Sequence, residues 1–353
     1  MNEYVANILG QPQALRSALE HFEREPFARL GARIQGGEFD RIILTGMGAS
    51  LYVSYPAWLL LAQAGLPAWW VETGELLQSA RALITPRSLV WLVSQSGRGP
   101  EQLDLLDAMT LQPARLVLAT TNDSASPLAQ RASLVLPLYT AAEKGVATRS
   151  YVNTLALTQL AAQTIAGQDV APGIGALHHT ASALEDYLSG WEDIVASLGE
   201  LLPNPDRLIL VGWGASLAAA LDGALVLKEA ARASAEGMST GQFRHGPLEL
   251  ADSHLTVLVF DGPEPAATAD RQLAQTIAEC GARALRVSVA VDATRPALAM
   301  PAAQGLGLPI AQIVPIQLLS LYLARLGGFE AAAFRHLGKI TWPSLRARRP
   351  ADS

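Results

Sequence analysis

Residues 42–50 read IILTGMGAS and residues 208–216 read LILVGWGAS, an ungapped echo displaced by 166 residues. The displacement stays nearly constant further along. TGE at 73–75 answers TGQ at 240–242, LVWLV at 89–93 answers LTVLV at 255–259, and ARLV at 114–117 answers ARAL at 282–285. Leu136-Pro137 pairs in the same way with Leu308-Pro309, and helix-like stretches follow at 150–165 and 310–326. A chain written twice folds as two copies of one unit. Within each copy the strand candidates are short apolar runs without polar alternation, separated by helical stretches. That pattern belongs to a parallel sheet covered on both faces by helices. The expected fold is therefore α/β, with two tandem doubly wound, flavodoxin-like domains. A leader with one helix at about 12–24 occupies 1–26, the first unit 27–168 and the second 176–328, with a tail at 329–353. GQDVAPGIG at 167–175 reads as the joint, before a helical stretch over 176–201.

Composition narrows the function classes. A net charge of −6 leaves no basic footprint for nucleic acid. The lone Cys280 excludes an intrachain disulfide and a cysteine-based zinc cluster. The amino terminus has no basic, apolar signal pattern, and the apolar run near Trp58 is too short for a bilayer. A cytoplasmic protein with no membrane partner is expected.

Ligands of such sheets sit beyond the carboxyl ends of the strands. The strand at 89–93 runs into SQSGRGPE at 94–101 and then a helix, and the next strand ends in TTNDS at 120–124. Hydroxyls and free N–H groups where a helix begins make an anion site. In the second copy the equivalent turn is FDGP at 260–263, without serines. Only the first half keeps an anion-binding sequence. No Gly-Lys-Ser/Thr follows, and the GxGxS turns lack the third glycine of a dinucleotide fingerprint, so nucleotide binding is unsupported.

Only three of the 26 basic residues are lysines, Lys144, Lys228 and Lys339. A primary amine can lose its proton where a guanidinium cannot. Lys228 adjoins Glu229 on an alanine-rich helical segment, His245 stands in FRHGP, and Lys339 follows His336 in the tail. Glutamate, histidine and lysine together form a proton-transfer set.

GMGAS (46–50), SQSGRGPE (94–101), GALVLKE with AEGMSTGQFRHGPLEL (223–229 and 235–250) and HLGKIT (336–341) occur in this order. On these motifs the chain resembles the sugar isomerase (SIS) domain family. The resemblance is to the double-SIS isomerase half of glucosamine-6-phosphate synthase and to its deaminase and deglycase relatives, over nearly the whole chain. It implies that Gly48, Ser50, Ser94, Gln95 and Ser96 bind a sugar phosphate, with Thr121 and Ser124 nearby. Val146, Ala147 and Thr148 would approach the sugar, and Lys228 joins the substrate-binding set. Glu229 would move a proton between C1 and C2 through an enediol or enolamine, His245 would assist ring opening, in relatives often across a dimer interface, and Lys339 would contact the open-chain carbonyl or form a Schiff base with it. The implied protein is a homodimer needing neither metal nor cofactor.

Some positions depart from the family pattern. Val226 replaces a lysine, Gly99 a threonine and Arg149 a lysine. Asn2 follows Met1 where the synthase has its glutaminase cysteine, so no glutaminase activity is expected. The tail HLGKIT has the spacing of the deaminase-like relatives. The expected activity is that of a phosphosugar isomerase or aminosugar-phosphate deaminase acting on a hexose or hexosamine 6-phosphate. A fructosamine-phosphate deglycase and a non-catalytic phosphosugar-binding regulator are the alternatives.

Overall fold

The computed structural model describes residues 2–111, 113–203, 205–263, 265–289 and 297–336. The first sheet holds β1 Arg41–Gly46, β2 Ala68–Glu72, β3 Ser88–Val93, β4 Leu116–Thr121 and β5 Leu134–Pro137, in the order β2-β1-β3-β4-β5. The second holds β6 Arg207–Gly212, β7 Ala235–Ser239, β8 Leu255–Phe260, β9 Arg283–Ser288 and β10 Ala297–Ala299, in the order β10-β9-β8-β6-β7. Every neighbouring pair is parallel. Numbered within each half, both sheets therefore run 2-1-3-4-5, and the duplication in sequence is a duplication in topology. The order reverses between β1 and β3 and again between β6 and β8. At such a switch point the two outgoing loops diverge and open a crevice for a ligand. β3 and β8, both central, are buried at all six positions, as strands covered on both faces must be.

The two halves share a helical core. Helix Arg149–Ile165 closes the first half and is buried around most of its circumference, and helix Leu308–Leu326 plays the same part in the second. Residues Gly305–Leu326 have the length and apolarity of a membrane span, but 89% of that window is buried inside the protein, which makes it a core helix. Buried polar groups on this helix are tied across the chain. Gln11 Nε2 donates to Gln317 Oε1 at 2.8 Å, and the hydroxyls of Tyr4 and Ser320 lie 3.0 Å apart. The leader thus packs on helices Arg149–Ile165 and Ala171–Ser189 and is tied by these hydrogen bonds to the last helix of the second half.

Three local expectations are corrected. The leader helix expected at about 12–24 is a pair, Glu3–Leu9 and Gln11–Glu20, because Pro12 starts a new first turn where its missing N–H costs nothing. The joint at 167–175 ends early: Gly167, at φ +71°, stops one helix, and the next already runs Ala171–Ser189, separated by Gly190 from Trp191–Leu201. Finally, Leu136-Pro137 and Leu308-Pro309 are not equivalent. Pro137 ends β5, whose counterpart is β10, whereas Pro309 sits in the first turn of the last helix. The same dipeptide suits both places because each lacks a partner for the proline nitrogen.

Candidate active site

A cleft of about 350 Å³ opens over the carboxyl ends of β1 and β3 and is closed from the other side by helix Ser216–Ala231 of the second half. Gly46 lets the chain turn there. A Cβ on it would come within 2.8 Å of the Ser50 backbone, and the same contact recurs at Gly212 against Ser216. Gly48 then takes φ +51°, and Ser50 faces the cleft. The pairing of β1 with β3 brings this turn beside the loop of Ser94, Gln95 and Ser96, which also lines the cleft.

The 94–99 loop is braced from the neighbouring strand end. Ser94 N–H donates to Thr120 O at 3.0 Å, Asn122 N–H to Gln95 O at 2.9 Å and the Thr121 hydroxyl to Gln95 O at 3.2 Å. Arg98 pairs with Asp123 at 2.8 Å. Gly97 is required at φ +61°, since a Cβ there would fall 2.1 Å from Ser126 Oγ. Gly99 caps helix Pro100–Met109, whose free N–H groups and dipole face the loop. The hydroxyls of Ser50 and Ser94 form no hydrogen bond within the described chain and are available to an incoming anion. Thr121 therefore supports the loop rather than lining the cleft, and Ser124 is exposed outside it.

The GVAT loop enters from the start of helix Arg149–Ile165. Gly145, Val146 and Ala147 line the cleft, whereas Thr148 is buried beneath it. Thr148 gives its hydroxyl to the Glu143 carboxylate, which also accepts from the Arg149 N–H at 3.0 Å, the Ser150 N–H at 3.3 Å and the Ser150 hydroxyl. A buried carboxylate with four donors, at a helix start, fixes this loop.

The second half contributes one helical face. Asp222, Leu225, Val226 and Glu229 recur at helical spacing and all line the cleft. Burial raises the Glu229 carboxyl from 4.5 to about 7. Asp222 is 1% exposed, and burial followed by the nearby Glu229 charge raises its carboxyl well above the usual range. The cleft thus has a hydroxyl-lined end from the first half and a carboxylate end from the second.

The remaining expected residues lie elsewhere. Lys228 is exposed and faces a neighbouring hollow of about 260 Å³, lined also by Glu229, Arg232, Phe334, Arg335 and His336. His245 is exposed at the end of the short helix Thr240–Arg244 and does not border the cleft of its own chain. Lys339 lies outside the described residues. The segment leading to it is anchored at the end of helix Ser216–Ala231, with Ala332 N–H donating to Ala230 O at 3.0 Å and Arg232 Nη2 to Ala333 O at 2.7 Å. Phe334 borders both hollows.

The motif reading missed three residues. Asp222 stands seven residues before Glu229, two helical turns, a spacing visible in the sequence. Gln102 lines the cleft with its Oε1 buried and unpartnered, and it takes the room a Cβ at Gly99 would need, since that Cβ would lie 1.9 Å from this oxygen. Glu143 carries no motif at all. No group of three or more His, Cys, Asp or Glu residues suited to a metal ion occurs among the described residues.

The sequence profile of the SIS domain matches residues 38–164 and 201–323. The glutamine–fructose-6-phosphate aminotransferase (isomerizing) of Thermococcus kodakarensis is 30% identical over 359 residues, covering 94% of this chain and 56% of that protein. The enzyme of the same name from Mycolicibacterium smegmatis is 28% identical with the same coverage. The chain spans about half the length of these curated relatives. Among solved structures, the C-terminal domain of glucosamine-fructose-6-phosphate aminotransferase from Francisella tularensis superposes with a TM-score of 0.82 at 19% identity, covering 94% of this chain and 98% of that one. Glucosamine-6-phosphate deaminase from Thermotoga maritima gives 0.77 at 20% identity, with 96% and 99% covered. Tagatose-6-phosphate ketose/aldose isomerase from Escherichia coli gives 0.77 at 21%, with 96% and 97% covered. At these identities the likeness is one of fold.

Proposed function

Because the chain belongs to the family built on the SIS domain, we propose that it is an enzyme that binds a hexose or hexosamine 6-phosphate and moves a proton between C1 and C2, as an isomerase or an aminosugar-phosphate deaminase. The observation that carries this reading is the placement of Glu229, with a carboxyl near 7, in one cleft with the unengaged hydroxyls of Ser50 and Ser94. The serines and the adjoining helix start hold the phosphate, which fixes the sugar as a lever anchored at one end. Aldose–ketose conversion then needs one base that takes a proton from one carbon and returns it to the next. A carboxylate raised to neutrality exchanges protons in both directions at low cost.

Gly145, Val146, Ala147 and Phe334 line the rest of the cleft that the serines and Glu229 share. His336 already borders the hollow shared with Glu229, and Lys339 follows three residues later, within roughly 11 Å of chain. In this reading Lys339 reaches the carbonyl end. His245 assists ring opening from the partner subunit of a homodimer, since it stands outside the cleft of its own chain.

Incubating the purified protein with glucosamine 6-phosphate, fructose 6-phosphate and fructosamine phosphates, and following ammonia, amine and isomeric sugar, tests the assignment. Glu229→Gln should lower turnover by about 10²- to 10⁴-fold while phosphosugar binding persists. Absence of turnover with every phosphosugar would remove the enzymatic reading. Binding unaffected by Glu229→Gln without turnover in either protein would mark a sensor instead.

A further inference from the structure

Gln102 is the third residue of helix Pro100–Met109, whose cap is Gly99. A glutamine at that position ordinarily turns back to accept from the N–H of the cap. Here it does not. Gln102 is 3% exposed and borders the cleft, and its Oε1 is buried without a hydrogen-bond partner. A buried acceptor left unpaired is costly, which points to a donor that arrives with a ligand.

The residue at the cap is fitted to this side chain. Gly99 stands at φ −62° and ψ 132°, angles open to every residue, so the backbone does not ask for glycine. The carboxamide does. A Cβ at 99 would lie 1.9 Å from Gln102 Oε1 and 2.9 Å from its Cδ. Position 99 carries no side chain, and the Gln102 oxygen occupies the room in the cleft wall.

Whatever meets that oxygen must donate. A phosphate held by Ser50 and Ser94 is an acceptor at neutral pH, so the donor comes from the carbons beside it. In a hexose 6-phosphate the nearest hydroxyl to the phosphate is the one on C5. Both the six-membered aldose ring and the five-membered ketose ring use this oxygen, O5, to close, and there it carries no hydrogen. Ring opening breaks the bond from O5 to the anomeric carbon. O5 then gains a proton, and the anomeric hydroxyl loses one to become the carbonyl.

We propose that Gln102 is a specificity residue that accepts a hydrogen bond from the C5 hydroxyl of the open-chain sugar phosphate, a contact the closed ring cannot make. The inference rests on the phosphosugar reading above and adds to it a contact at the phosphate end, away from the carbonyl end to which Lys339 is assigned. The cleft thereby favours the linear form on which proton transfer between C1 and C2 depends.

Two unreactive linear probes isolate the contact: glucitol 6-phosphate and 5-deoxyglucitol 6-phosphate. Titration calorimetry on the full chain should show the first bound about 5- to 20-fold more tightly, the range of one hydrogen bond. Gln102→Met keeps the length of the side chain without its carboxamide, and should bring the two affinities together. Gly99→Ala keeps the carboxamide but pushes it from its place, and should do the same, with circular dichroism confirming the fold of both variants. Equal affinities in the wild type, or a ratio that survives in both variants, would overturn the proposal. So would an equal weakening of both probes by Gln102→Met, the mark of a lost donor to the phosphate. Glucitol 6-phosphate bound without dependence on the C5 hydroxyl defeats only this inference and leaves the phosphosugar reading standing. Failure of both probes to bind defeats both.

Discussion

Glu229 shows how one side chain's surroundings set its chemistry. Its carboxyl lies near 7 because burial penalises the charged form. In the proposed role of base it must be ionised before the substrate binds, so kcat/KM should rise about tenfold per pH unit below about 7 and level off above it. A pH–rate profile measures this, and a flat profile would remove Glu229 from the proton transfer. The same burial has a stability consequence of fixed sign. The folded chain holds this proton more tightly than the unfolded chain, so its contribution is complete below 4.5 and is lost as pH rises to about 7. Glu229→Gln should therefore melt a few degrees higher than the wild type at pH 8 and show little gain at pH 4, by calorimetry. Ser50, Ser94, Ser96 and Glu229 were legible from motif and order alone. Asp222 was legible only as a spacing, and Gln102 and Glu143 not at all, because what marks them is an unpartnered oxygen in one case and four converging donors in the other.

At the level of loops and helices, the binding end depends on backbone placed without slack. Gly97→Ala would bring a Cβ against Ser126 Oγ at a backbone angle that side chains resist, and should raise the KM for phosphosugar about tenfold or more with less effect on kcat. Removing the Glu143 carboxylate strands buried donors, so Glu143→Ala should cost about 2–4 kcal/mol in denaturant unfolding and also loosen the GVAT loop. Central strands announced themselves as apolar runs. β7 did not, since AEGMS at a sheet edge carries too little apolar character to signal a strand. Its place could be inferred only once the sheet order was known. The sequence marked 167–175 as a loop from its glycines, yet Gly173 lies inside a helix, where a Cβ would press on Gln163 and Leu306 at 2.8 Å. There, close packing of two helices accounts for a residue that local rules read as a breaker.

Across the whole molecule, the two copies have divided their labour. Both keep the 2-1-3-4-5 order, but the serine hydroxyls lining the cleft come from the first half and Asp222 and Glu229 from the second, so neither half holds the whole candidate site. Duplication was readable because the GxGxS turns obey the same steric demand twice. The mistaken Leu-Pro equivalence shows the limit of such reading, since one dipeptide met two different backbone needs. If His245 serves the partner's cleft, mixing Glu229→Gln with His245→Ala chains should restore about a quarter of wild-type activity through the one intact site of each hybrid dimer. An unchanged baseline in that assay would place the histidine's role within its own chain or elsewhere. The packing of the leader also orders events during biosynthesis. Gln11 and its partner Gln317 are 306 residues apart. At ribosomal speeds helices Arg149–Ile165 and Ala171–Ser189, on which helix Gln11–Glu20 also packs, emerge roughly 7–35 s after the leader, and Gln317 only after roughly 15–60 s. The nascent polypeptide should therefore engage holdase chaperones most strongly before residues 149–189 leave the exit tunnel, and the buried amide of Gln11 gains its partner only when residues 308–326 follow.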